Sequence, residues 1–344
     1  MGVTRGRSFF TFVVAVALVV IASLALSIIG SPPSHGASTD LAYDEVTKFA
    51  SGDSSPQPGN FSADYQAAVA AGQQLAAAEN PQGHGFFSAI HNMINTAKAA
   101  QNMMKNGIAS REFFLGDLRR TDDPGAQTAN VERPDQRRLI KLDFAKKTYE
   151  IIDMNAMMPS ERPAPPPPSS GNGPPPSPQP GSGDFTVTVT SSTLGPKTIE
   201  GVPTVGYSFS FKGTMSNATG SCHNGTFETS SVQYISSYPD PSERGKLANV
   251  KRPSFVQSPE MAAVPFGCTP RITRHASGGS QAPTGRLAMF TIVGIGGSTG
   301  TQGGGKFLTV IERGNVRTLG GGDKNLFDIP AGFTQVTASP TPAP

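Results

Sequence analysis

From Ile108 onward the apolar residues recur at every second position, whereas before Gly107 they recur at every third or fourth. That change of period constrains the fold more than any other feature of the chain. A period of two places alternate side chains on opposite faces of an extended chain. Ile108 to Leu118, Ala129 to Arg133, Arg137 to Asp143 and Lys147 to Ile152 read as consecutive strands, joined by Asp-Pro-Gly, Arg-Pro-Asp and Asp-Phe-Ala-Lys turns. These segments predict an antiparallel meander. Further on, Phe185, Val187 and Val189 alternate with threonines, and Val205, Tyr207, Phe209 and Phe211 alternate with Gly206, Ser208, Ser210 and Lys212. Leu287 to Gly294 and Lys306 to Val316 add two more strands around the glycine run Gly294 to Gly305. Between Ser230 and Gln281 the alternation weakens, which predicts a long connection.

Two helices precede the strands. Phe61 to Asn80 is rich in alanine, with Tyr65, Val69 and Leu75 at helical spacing. In the second, Ser88 is a candidate cap, Ile90, Met93, Ile94, Ala97 and Met104 recur on one face, and Asn106-Gly107 is a stop signal. Methionines at 93, 103, 104, 154, 157 and 158 suit a soft apolar groove, although such a stripe is more often core.

Phe9 to Gly30 carries no charge and follows Arg5 and Arg7, so residues 1–30 are expected to be a retained membrane anchor or a cleaved signal peptide. Either role takes the rest of the chain out of the cytoplasm. No cysteine precedes Cys222, so no lipidation site is expected near that segment. Residues 31–60 read as a disordered tether, rich in Ser, Pro, Gly and Asp. Eleven of the 31 prolines lie between Pro159 and Pro180, which marks residues 159–183 as a disordered Pro-rich insertion that cannot join a core. The expected folded unit is residues 61–158 plus 184–337, a single domain, with a disordered tail at 338–344.

In an oxidising envelope the isolated pair Cys222 and Cys268 is expected to form one disulfide. A metal set of Cys222, His223, Cys268 and His275 is the alternative, but neighbours on an extended chain point apart and no zinc-like spacing is present. No metal and no cofactor are expected.

The remaining motifs give way to plain readings. Gly300 to Lys306 has phosphate-loop spacing, but Phe307 replaces the magnesium hydroxyl and a strand follows instead of a helix. Gly296-Gly297-Ser298-Thr299-Gly300 matches a hydrolase elbow, yet no histidine follows Ser298. His91 reads as surface or core of a helix, and Asp117, Asp122 and Asp123 as turn residues. No catalytic residue is assigned. The tripeptides beginning at Asn60, Asn217 and Asn224 fit glycosylation acceptors but read as turns in a chain of bacterial architecture. A net charge of +3 is too small to imply nucleic acid. The local basic residues Arg119, Arg120, Arg137, Arg138, Lys141, Lys146 and Lys147 read as a solvated sheet face.

Three segments then carry a resemblance: Lys146-Lys-Thr-Tyr-Glu-Ile-Ile-Asp153, Thr198-Ile-Glu-Gly-Val-Pro-Thr-Val-Gly-Tyr207 and Asn325-Leu-Phe-Asp-Ile-Pro-Ala-Gly-Phe333. Their order resembles that in uncharacterised bacterial envelope proteins that look like relatives of the outer-membrane lipoprotein carrier. The likeness spans roughly Phe86 to Val336, and only the last segment is distinctive. It implies an α+β fold: a strongly curved antiparallel sheet, a half-open barrel, with N-terminal helices against its concave face. The Pro-rich insertion and the stretch from Ser221 to Cys268 enlarge that pattern, and no ligand residue can be carried over.

The expected function is that of a non-enzymatic extracytoplasmic binding module for a lipid, lipoprotein or other apolar envelope component. It is expected on the periplasmic or extracellular side, attached to the membrane through its N-terminal segment or released. A structural or interaction protein of the cell envelope, displayed on disordered tethers, is the alternative.

Overall fold

The computed structural model describes residues 40–52, 56–79, 97–154, 181–220, 222–243, 268–280, 282–299 and 305–336. In chain order these form β1 (Leu41–Ser51), α1 (Phe61–Glu79), a helical stretch at 97–106, β2 (Ile108–Leu115), β3 (Leu118–Asp123), β4 (Thr128–Arg133), β5 (Arg138–Asp143) and β6 (Thr148–Asp153). There follow β7 (Ser182–Ile199), β8 (Val202–Thr219), β9 (Gly225–Pro239), β10 (Arg271–Ser277), β11 (Arg286–Thr299), β12 (Lys306–Thr318) and β13 (Thr334–Gln335). The run Phe9–Gly30, residues 155–180 of the Pro-rich region, the start of the second expected helix and the tail 338–344 lie outside the described residues. Among the described residues no helix is long and apolar enough to cross a membrane.

All strands share one open sheet of 13 in the order β10-β7-β8-β9-β11-β12-β1-β2-β3-β4-β5-β6-β13. β1 lies between β12 and β2 and so joins the strands before the Pro-rich region to those after it. The sheet is mixed rather than purely antiparallel, because β10 runs parallel to β7 and β13 runs parallel to β6. Both edge strands are reached by longer excursions than a hairpin, which frees them from the antiparallel geometry that a tight turn imposes.

The sheet is curved. Ile199, at the end of β7, shares one buried apolar cluster with Leu308 and Val310 of β12. In a flat sheet four strand spacings, roughly 19 Å, would separate those strands. Glu312 is the register partner of Val46, whose side chain packs under α1.

Several expectations need correction. The tether expected at residues 31–60 ends by Leu41, where β1 begins. β1 is central and largely buried, yet carries Asp44, Glu45 and Lys48. Those charges disguise it as solvated chain, and the fold accommodates them by pairing. Ile108 to Leu118 is two strands, since the chain reverses at Gly116-Asp117 into β3, whose sequence LRRTDD has no apolar alternation. The 230–281 connection contains most of β9 and all of β10. Gly294, Gly296 and Gly297 are strand residues of β11 rather than loop. Gly294 leaves room for the Ser230 hydroxyl and the Lys306 stem, either of which a Cβ would strike. Residues 182 and 183 of the expected insertion belong to β7.

Helix α1 starts where Asn60 Oδ1 accepts the Ala63 amide at 3.2 Å, which satisfies one of the orphan donors of its first turn. Phe61, Tyr65 and Ala68 fall one turn apart and pack on Val46 of β1 and Ala109 of β2. On another flank, the 3₁₀ helix Gly321–Phe327 drives the fully buried Phe327 against Ala42, Phe113, Val131, Ile140 and Leu142. The distinctive segment at 325–333 therefore closes one side of the sheet.

Candidate functional site

The most ligand-like feature is a groove with a cavity volume of about 170 Å³ between α1, residues 97–106 and the sheet. Helix α1 contributes Ala68, Gly72, Leu75 and Ala76, the second helix Met103, the entry to β2 Gly107, Ile108 and Ala109, and the β3–β4 turn Asp123, Gly125 and Ala126. Ten of these eleven residues are uncharged, and seven are glycine or alanine, so the walls are smooth and mostly apolar. A dry apolar cavity of roughly 150 Å³ is enough to bind benzene, so this groove can take one ring or a short stretch of acyl chain.

Local sequence explains its shape. Gly107 has φ +93, and a Cβ there would meet the Thr47 carbonyl, so only glycine lets the chain leave the second helix and enter β2 so closely. Asn102 Nδ2 donates to Gln74 Oε1 at 3.0 Å and ties the two helices together. Asp123 Oδ1 accepts the Ala126 amide at 2.9 Å and shapes the turn, so the one carboxylate at the groove has a structural duty. Ile108, one of the lining residues, stays 41% exposed and gives the groove an apolar edge.

The central strands hold ion pairs on both faces of the sheet. Asp44 accepts from Arg111 Nε at 2.6 Å and from Asn315 Nδ2 at 2.8 Å. Arg313 Nε donates to Glu45 at 2.8 Å, and its guanidinium lies 5.3 Å from the centre of the Tyr43 ring. Burial is the largest single influence on Arg313 and lowers its pKa, but the charges of Glu45, Tyr43 and Asp240 and the hydrogen bond to Glu45 together outweigh it and the net shift is upward. Burial raises the carboxyl pKa of Glu112 despite Arg119 at 3.4 Å and the Thr121 hydroxyl at 2.9 Å. The Tyr65 hydroxyl is buried without a hydrogen-bond partner among the described residues, and burial raises its pKa.

The residues singled out in the sequence are dispersed. Cys222 and Cys268 are bonded to each other with their Cα atoms 5.1 Å apart, and they cap a separate cluster of Phe185, Val187, Phe211 and Met215. No group of metal-ligating side chains occurs among the described residues. Ser298 lies within β11 and shares a 3.0 Å hydrogen bond with Thr226, while His275 is on β10, with β7, β8 and β9 between the two strands. His35, His84 and His91 lie outside the described residues, as do Met93, Met157 and Met158. Of the methionine stripe, Met103 lines the groove, and Met104 is exposed.

The basic stretch is only partly a solvated face. Arg120 is largely buried, pairs with Asp122 at 2.6 Å and donates to the Leu326 carbonyl, also at 2.6 Å. Arg133 donates to the Phe327 carbonyl and to Asp328, so two arginines clamp the 3₁₀ helix. No protein-family model, curated protein or solved structure matches the chain. The alanines and most glycines of the groove escaped the sequence reading because they carry no chemical signature; Leu75, Gly107, Ile108 and Asp123 belonged to visible helix, stop, strand and turn patterns, but only Met103 belonged to a pattern that pointed to a groove.

Proposed function

We propose that the protein is a non-enzymatic extracytoplasmic binding module whose groove holds the acyl chain of a lipid or of an acylated protein. The observation that carries this reading is the groove itself, mostly apolar and lined by small residues, with the exposed Ile108 among them. The disulfide suits an oxidising compartment, in keeping with an envelope location. A half-open barrel like that of the lipoprotein carrier is the finer form of the fold under this proposal, with the N-terminal apolar run acting as anchor or signal.

An envelope interaction protein is the second reading. Every residue of β10 is exposed, and among the described strands β10 lies at one edge of the sheet, where an added strand can dock. Native mass spectrometry with lipid extraction, on protein purified from its own cells, separates the two readings. A near-stoichiometric apolar species supports the binding module. A clean apo mass together with a co-purifying protein supports the interaction reading.

A further inference from the structure

Lys48 joins three elements. Its Nζ lies 2.6 Å from Asp64 Oδ2 on α1 and 3.3 Å from Glu312 Oε1 on β12. The ion pairs of Asp44, Glu45 and Glu112 use arginine, whose guanidinium is a poor nucleophile, whereas a lysine amine attacks carbonyl carbon readily once deprotonated. The site is only partly shielded from water, the Lys48 and Asp64 side chains being 23% and 33% exposed. The Glu312 side chain is only 8% exposed. Backbone at Gly59 lies so close to the Asp64 carboxylate that a Cβ would stand 3.1 Å from Oδ2, and the buried Phe61 precedes Asp64 on the first turn of α1.

The geometry points to an intramolecular isopeptide bond between Lys48 and Asp64, formed with Glu312 as the proton carrier. Burial raises the Glu312 carboxyl pKa, and the Asp64 charge adds to that rise against the opposing effect of Lys48. Glu312 therefore gives up its proton less readily than an ordinary carboxyl. The ammonium of Lys48 gives one proton to Asp64, leaving an amine beside a carboxylic acid. Nζ then attacks Cγ of Asp64. Glu312 protonates the departing hydroxyl and recovers a proton from the attacking nitrogen. One C–N bond forms, one C–O bond breaks and one water leaves. Nothing is oxidised or reduced, and no co-reactant is needed. The product would staple α1 to β1 and fix one wall of the groove, although the inference does not depend on what the groove binds.

Peptide mapping of the full-length protein by mass spectrometry is the test. The expected result is a branched peptide joining the Lys48 and Asp64 segments, lighter by one water than their sum. It should be absent from Lys48→Arg, which keeps the ion pair, and from Glu312→Gln, with both variants folded by circular dichroism. Unlinked Lys48 and Asp64 peptides from folded wild-type protein would overturn the inference. A link that persists in Glu312→Gln would overturn the role of Glu312.

Discussion

Gly72 of α1 and Gly125 of the β3–β4 turn meet backbone to backbone: a Cβ on Gly72 would stand 3.0 Å from Gly125 Cα, and one on Gly125 would stand 2.8 Å from Gly72 Cα. This contact sets the height of α1 above the groove. Neither residue has a positive φ, so the requirement is for space rather than for a left-handed conformation. Gly125→Ala is expected to cost about 1–3 kcal/mol through overpacking. Gly72→Ala recovers up to about 1 kcal/mol of helix propensity and should cost less. Urea unfolding measures both; a larger loss at Gly72 would contradict this account of the contact.

The Asp44–Arg111 pair should respond asymmetrically. Asp44 is buried, whereas the Arg111 side chain is 48% exposed. Arg111→Ala strands a buried carboxylate that keeps only Asn315, and is expected to cost about 3–5 kcal/mol. Asp44→Ala frees an arginine that can turn to water and should cost clearly less. Equal losses in thermal or denaturant unfolding would argue against the burial assigned to Asp44.

Glu112 gives a pH prediction. Its folded carboxyl pKa lies above the ordinary value, chiefly through burial, so the folded state binds this proton more tightly than the unfolded state. The resulting stability is fully present below the unfolded pKa and is lost as pH rises through the folded pKa. Glu112→Gln should therefore raise Tm at pH 7, with the gain shrinking towards zero below about pH 4. A variant less stable at pH 7 than at pH 4, relative to wild type, would show that the Arg119 contact outweighs burial.

Much of the architecture was legible because half-buried strands keep a period of two, and because Phe61, Tyr65 and Ala68 repeat on one helical face. What was illegible depended on partners remote in sequence. β1 reads as polar until Arg111, Asn315 and Arg313 are seen to reach Asp44 and Glu45. β3 hides its role because Arg119 and Arg120 lie over the rings of Phe114 and Phe113, taking the place of apolar side chains. The groove was less legible still, since its walls are defined by the absence of side-chain bulk at Gly72, Ala76 and Gly125.

The disulfide should matter for stability and not for the groove. It links residues 46 apart within a cluster distinct from the one under α1. Replacing Cys222 and Cys268 by serine is expected to cost up to about 4 kcal/mol. Ligand affinity should be unchanged at temperatures where the variant remains folded. Loss of affinity without unfolding, in a fluorescence titration, would indicate that the two regions are coupled.

Titration of a fluorescent fatty acid against the wild-type protein and Ala76→Phe tests the central claim most directly. The phenyl ring is sized to fill the cavity of about 170 Å³ without displacing the strands beneath it. The account predicts saturable binding of one probe to wild type, and loss of that binding in Ala76→Phe at similar Tm. Absence of binding to wild type, or undiminished binding to the filled variant, would contradict it.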